Sequence, residues 1–177
     1  MDFTQVILVD ESDNATGTCE KMRAHADGLL HRAFSVFIFN GKGEMLLQQR
    51  AMDKYHSGGL WTNACCSHPA PGEETAAAAL RRLKEEMGFT APVEKIFDFV
   101  YRADFDNGLT EYEFDHVLAG YYDGDIHFNN AEVMDYRYMD MGSIHNLLKS
   151  NPEQFTAWFR IAFKMVADWK AGIVQSN

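Results

Sequence analysis

The feature that most restricts how this chain can fold is a tight turn between two apolar runs. Asn40-Gly41-Lys42-Gly43 separates Ala33–Phe39 from Met45–Gln49, and its glycines tolerate the positive φ that a hairpin turn needs. The two runs therefore read as paired strands. Val6–Val9 reads as a short buried strand ahead of them, and Lys95–Phe105, Tyr112–Tyr121 and Val133–Met139 as later ones. Gly and Pro punctuate Ser57–Gly72, and a helix follows over about 73–87. Glu73 and Glu74 suit the positive end of its dipole, Ala76, Leu80, Leu83 and Met87 form its apolar face, and Gly88 is placed to end it. A second helix is expected to begin at Asn151-Pro152, an N-cap with Pro in the first helical position. On it Phe155, Trp158, Phe159, Ala162, Phe163, Val166 and Trp169 share one wide apolar face. Strands dominate, with no repeat and no linker. The expectation is a single α/β (α+β) domain over 1–177.

Composition narrows the partners. With 177 residues and 46% apolar side chains, the chain is long enough for a substantial core and too apolar for disorder. Acidic residues outnumber basic ones 26 to 16, a net charge of −10, which disfavours nucleic acid and anionic membranes. An anionic substrate would need its own local cluster of Lys and Arg. Ala33–Phe39 is far too short to span a bilayer, and Met1-Asp2-Phe3-Thr4-Gln5 has an acid where a signal peptide needs cations. Cys19, Cys65 and Cys66 offer neither a disulfide framework nor a CxxC, so a reduced, cytoplasmic setting is expected. The apolar final helix suits a monomer or a homodimer equally.

Three constellations carry chemistry. The first is Ser67-x5-Glu73-x7-Arg81-Arg82-Leu83-Lys84-Glu85-Glu86-Met87-Gly88-Phe89, which resembles the Nudix signature, a loop–helix–loop that holds divalent metal against a diphosphate. Ser67 stands where that signature has Gly, and Arg82 where it has the first Glu of its REUxEE stretch. Arg82 and Glu86, four apart, share a helix face, so a phosphate-binding guanidinium lies beside a cation-binding carboxylate. Taken alone, such a helix reads as a solvated face with ordinary ion pairs. The second constellation is Trp61-Thr62-Asn63-Ala64-Cys65-Cys66-Ser67-His68-Pro69. Adjacent cysteines on an extended segment point to opposite sides. Cys65 reads as a small core hydrophobe, and Cys66 beside His68 as a reactive thiol or part of a metal site. In the third, Glu111-Tyr112-Glu113, strand alternation sets both carboxylates on one face, where they repel unless a cation lies between them or one keeps its proton. His25 and His31, taken singly, read as surface or satisfied histidines. So do His56, His116, His127 and His145, which receive no role.

Together with Glu20–His25, His31–Phe39, Arg50–Lys54, Tyr101-Arg102-Ala103 and Glu132–Tyr136, these pieces resemble the type 1 isopentenyl-diphosphate Δ-isomerases of the Nudix superfamily over nearly the whole chain. The most specific piece is the TNxxCxHP segment leading into the altered Nudix helix. The resemblance implies a mixed β-sheet sandwiched by helices. It implies one metal site of His25, His31, His68, Glu111 and Glu113, holding Mn²⁺ with Zn²⁺ or Mg²⁺ as alternatives. Five N/O ligands disagree with a closed tetrahedral zinc site. It implies a second ion, Mg²⁺, bridging Glu86 to the substrate diphosphate, and diphosphate contacts from Lys21, Arg50, Lys54 and Arg82. Cys66 on one side, and Glu113 aided by Tyr101 on the other, would move the protons, with Trp158 facing a carbocation. The implied reaction interconverts isopentenyl and dimethylallyl diphosphate, a small-molecule reaction without nucleic acid or membrane.

Two rivals stand beside this reading. A Nudix hydrolase acting on a nucleoside diphosphate derivative would lack the metal ligand that Arg82 replaces, and would have no use for Cys66. A silent binding module would have no reason to keep the metal ligands and both acid–base candidates.

Overall fold

The computed structural model describes residues 1–172, and the last five residues of the expected domain lie outside them. The expected hairpin is the middle of one mixed sheet. Strand β3 (His31–Phe39) is its hub, with β8 (Thr110–Tyr121) pairing parallel along one edge from His31↔Glu113 to Phe39↔Tyr121. Its other edge is shared out. β1 (Gln5–Val9) meets it at His31, β6 (Cys65–Ser67) at Phe34 to Val36, and β4 (Met45–Arg50) at Phe39. β2 (Ala15–Glu20) flanks β1, β5 (Trp61–Thr62) and β9 (Val133–Met139) flank β4, and β7 (Val93–Asp104) flanks β8.

β3 is buried on both faces because helices cover both, which is why its run is continuously apolar rather than alternating. Phe34, Val36 and Ile38 pack with Cys65, Ala78, Ala79, Leu83 and Met87 under α2 (Thr75–Met87). Phe37 and Phe39 pack with Val117, Trp158, Phe159 and Phe163 under α4 (Ala157–Lys170). His31 and Ser35 share the second face, where the apolar core gives way to the site.

Several elements differ from expectation. β2 is an exposed polar edge strand without apolar alternation, α1 (Lys21–Asp27) is only two turns, and α3 (Met141–Ser150) buries a single residue, Ile144. β2 and α1 offered no periodic signal, whereas α3 carried a helical one at Met141, Ile144 and Leu148 that the sequence reading did not use. Pro152 opens a 3₁₀ turn over Pro152–Gln154 rather than the last helix. Phe155 then runs extended to pair with Trp61, and the Thr156 amide donates to the Trp61 carbonyl at 3.0 Å, so α4 starts only at Ala157. α2 starts two residues late because Glu73 belongs to the loop, accepting from the Ala70 amide at 2.9 Å and clamping Arg81. Its buried face is Ala78, Ala79, Leu83, Glu86 and Met87. Ala76 is exposed and Leu80 half-buried.

Candidate active site

The site gathers where β3, β6 and β8 meet α1 and α2. Glu20 caps α1 by accepting from the Met22 and Arg23 amides at 3.0 and 2.8 Å, which sets His25 facing inward. The Nδ1–H of His25 donates to the Lys21 carbonyl, and that of His31 to the Leu29 carbonyl, both at 2.7 Å. These bonds fix the tautomers and leave each Nε2 with a free lone pair. His31 Nε2 lies 3.2 Å from His68 Nε2, and His68 Nε2 lies 2.8 Å from Glu113 Oε1. The ligating atoms of His25, His31, His68 and Glu113 fall within 4.8 Å of one another. Buried His25 Nε2 has no hydrogen-bond partner, so the cluster has the donor set and the unmet valence of a cation site. Burial depresses His25 to about 4 and His68 to about 3, which keeps both imidazoles neutral, as ligation requires.

Glu111 and Glu113 share one strand face, as alternation demands. Tyr101, opposite Glu113 across β7 and β8, reaches both, at 3.0 Å to Glu111 Oε2 and 2.6 Å to Glu113 Oε2. Burial and the neighbouring Glu113 push the Glu111 carboxyl well up. Burial would also raise Glu113, but the neighbouring His31 and His68 imidazoles outweigh it and hold that carboxylate well below its ordinary range. The two carboxyls are thus pushed in opposite directions, Glu111 up and Glu113 down.

On the far side of β3, Cys65 and Cys66 point to opposite faces: Cys65 is fully buried under α2, and Cys66 opens into the site. Burial pushes the Cys66 thiol up, so it holds its proton. Cys66 and Glu113 line one cleft. Lys21, Arg50, Lys54, Arg82, Glu86, Tyr101, Glu111, His68 and Trp158 line it too, while His25 and His31 stand behind. Burial depresses Lys21, and Arg82 and Lys54 depress it further, the mark of crowded cations turned toward one point. Arg82 donates to Glu86 at 2.6 Å, and Gln48 donates to the other oxygen of that carboxylate at 2.9 Å. Lys54 pairs with Glu132. Trp158 is held by its indole N–H, 3.2 Å from Asn63 Oδ1, with the Arg50 guanidinium 5.2 Å from its ring. Trp61 packs behind, under Arg137 at 3.7 Å. Ser67 also faces the cleft.

Sequence reasoning missed two residues. His56, read as a surface or satisfied histidine without a role, is buried in the cleft wall 3.1 Å from Glu111 Oε1. Buried Asp115 continues the carboxylate face of β8 and accepts from Ser35 Oγ at 2.8 Å. Its place two residues beyond Glu113 was the available signal. For His56 there was none.

Residues 29–159 match the NUDIX domain family. An isopentenyl-diphosphate Δ-isomerase from Pectobacterium atrosepticum is 52% identical over 172 residues, covering 97% of this chain and 96% of the relative. One from Burkholderia multivorans is 50% identical, covering 88% of each. The chain belongs to the Nudix isopentenyl-diphosphate Δ-isomerase family. Structures share its fold at lower identity. A protein from Deinococcus radiodurans has a TM-score of 0.74 at 15% identity, over 91% of this chain and 98% of that one. The MutT protein of Methanosarcina mazei Go1 has 0.65 at 20%, over 80% and 95%. Arg82, the departure from the Nudix signature, lines the cleft.

Proposed function

We propose that this cleft interconverts isopentenyl diphosphate and dimethylallyl diphosphate, in the supply of isoprenoid precursors. The observation that carries the reading is that a thiol and a carboxylate, on strands either side of β3, open into one cleft that also holds four cationic side chains. A terminal alkene is a feeble base, so shifting its double bond passes through a tertiary carbocation. One proton is added at the terminal carbon and another is lost from the carbon two bonds away. Cys66 moves one of these and Glu113, hydrogen-bonded by Tyr101, the other. Each is acid in one direction and base in the reverse. The Trp158 face stabilises the cation by about 2 kcal/mol where water is excluded.

Lys21, Arg50, Lys54 and Arg82 grip the diphosphate, which does not react. Acid–base catalysis gives about 10²- to 10⁴-fold, whereas fixing the reactant contributes roughly 7–11 kcal/mol. A −10 chain concentrates cations here for that purpose. His25, His31, His68, Glu111 and Glu113 would hold Mn²⁺, or Zn²⁺ or Mg²⁺, and Glu86 would hold Mg²⁺ against the diphosphate. Bound there, the ions supply charge that sets the proton affinity of Glu113 and neutralises phosphate oxygens. No described helix is long and apolar enough to cross a membrane. The three free thiols suit the cytoplasm.

The test is proton NMR of isopentenyl diphosphate in D₂O with the protein, Mg²⁺ and Mn²⁺. Deuterated dimethylallyl diphosphate is expected. Released phosphate or diphosphate would make the chain a hydrolase, and no change with metal bound would remove the activity.

A further inference from the structure

His56 sits in the site with its ring locked. It stacks on Phe105 with centroids 4.7 Å apart and planes 10° apart, and meets the edges of Tyr55 and Trp158 at 4.3 and 5.9 Å. Its carbonyl accepts from Arg50 at 3.1 Å, so its backbone is tied to the cleft wall as well. Its Nδ1 is engaged with Ser57 Oγ at 3.2 Å. That leaves Nε2, which is buried and has no hydrogen-bond partner. Nε2 lies 3.1 Å from Glu111 Oε1 but out of line for a hydrogen bond. An imidazole that merely oriented Glu111 would donate its N–H along that line. Here the two atoms converge without a hydrogen bond, as ligands of one cation do.

Tyr101 explains why they converge. Its hydroxyl engages the Oε2 atoms of both glutamates and turns both Oε1 atoms toward histidines. Glu113 Oε1 faces His68 at 2.8 Å and His31 at 3.6 Å, and Glu111 Oε1 faces His56. The ligating atoms of His25, His56 and Glu111 lie within 4.8 Å of one another, as do those of His25, His31, His68 and Glu113. His25 belongs to both groups, yet with Nδ1 given to the Lys21 carbonyl it has one lone pair to offer. Two ions cannot share that pair. One ion drawing on both groups would have to bring the two sets together around the shared His25.

We propose that His56 is a ligand of the site's divalent ion through Nε2, so that four imidazoles and two carboxylates surround it. The proposal rests on the metal reading given above and adds to it. Six N/O donors are the number that octahedral divalent cations take, and His56 supplies the sixth.

The experiment is proton NMR of the Co²⁺-loaded protein in water. Each ligated imidazole carries one ring N–H whose signal the paramagnetic ion shifts far outside the ordinary range, and which vanishes in D₂O. Four such signals are expected in the wild type and three in His56→Gln, with Co²⁺ bound about tenfold or more weaker. Three signals in the wild type would overturn the proposal and leave the three-histidine site standing. No shifted signals, with Co²⁺ failing to bind, would overturn the metal reading itself. The wild-type count decides even if the variant does not fold.

Discussion

A phenol oxygen 2.6 Å from one buried carboxylate and 3.0 Å from another binds together two groups that would otherwise repel. The Tyr101 hydroxyl hydrogen-bonds both Oε2 atoms, donating its single proton to one of them at a time. Tyr101→Phe removes both bonds and leaves a buried carboxylate short of a donor. We expect a loss of about 1–3 kcal/mol in urea unfolding, together with a fall in kcat. A fall in stability with unchanged kcat would take Tyr101 out of the proton path. The adjacent cysteines separate chemistry from packing in the same way. Cys66→Ala should lower kcat by roughly 10²- to 10⁴-fold with little change in melting temperature. Cys65→Ala, which trims the packing under α2, should leave kcat within a few-fold and lower stability by about 1 kcal/mol. Steady-state kinetics and thermal melts of the two variants would expose any reversal of these roles.

Helix α2 places Arg82 and Glu86, and its phase depends on how it stops. Gly88 ends it at φ +78°, with its amide donating to the Lys84 carbonyl. A Cβ there would lie 2.1 Å from the His127 carbonyl oxygen, so Gly88→Ala strains the backbone and forces neighbouring chain aside. The left-handed conformation alone costs roughly 1–2 kcal/mol, and the clash adds to it. We expect a loss of at least 2 kcal/mol and a raised KM for the diphosphate as Arg82 shifts. A variant that matches wild type in both would show that the helix end is free to move. This stop was legible in the sequence, as were the hairpin at Asn40–Gly43, the long strands and both cysteine faces. These rest on local periodicity and turn chemistry. α1 and β2 were not legible, because they are short and held by Glu20 and by pairing with β1 rather than by an apolar pattern. Likewise the Asn151-Pro152 signal was a genuine helical start, but it opened only a 3₁₀ turn. Pairing of Phe155 with Trp61, nearly a hundred residues away in sequence, decided where α4 begins. In the site, the residue types were legible through the family resemblance. His56 entered by tertiary placement alone.

Across the whole molecule, the His/Glu cluster ties α1 to β3, the segment after β6 and β8, joining His25 to Glu113. Its imidazoles make the metal-free chain sensitive to acid. Burial sets His25 at about 4, and His56 and His68 at about 3, below the ordinary 6.5. The unfolded chain therefore binds protons first as pH falls. Stability is full above pH 6.5 and is lost as pH drops through the window down to about 4 for His25 and about 3 for His56 and His68. Each histidine contributes up to about 1.4 kcal/mol per pH unit. Urea midpoints of chelated protein at pH 7 and pH 5 should differ accordingly. Equal midpoints would mean that the imidazoles are already protonated in the fold. A divalent ion binds only the neutral, assembled cluster, so it stabilises the native state by about 2.7 kcal/mol at a hundredfold excess over Kd. For a chain of this size that raises Tm by roughly 5–10 °C, and chelation should reverse the rise and abolish turnover together. If chelation abolished turnover without lowering Tm, the ion that matters would be the one at Glu86 with the substrate. The four-element cluster would then not be a metal site.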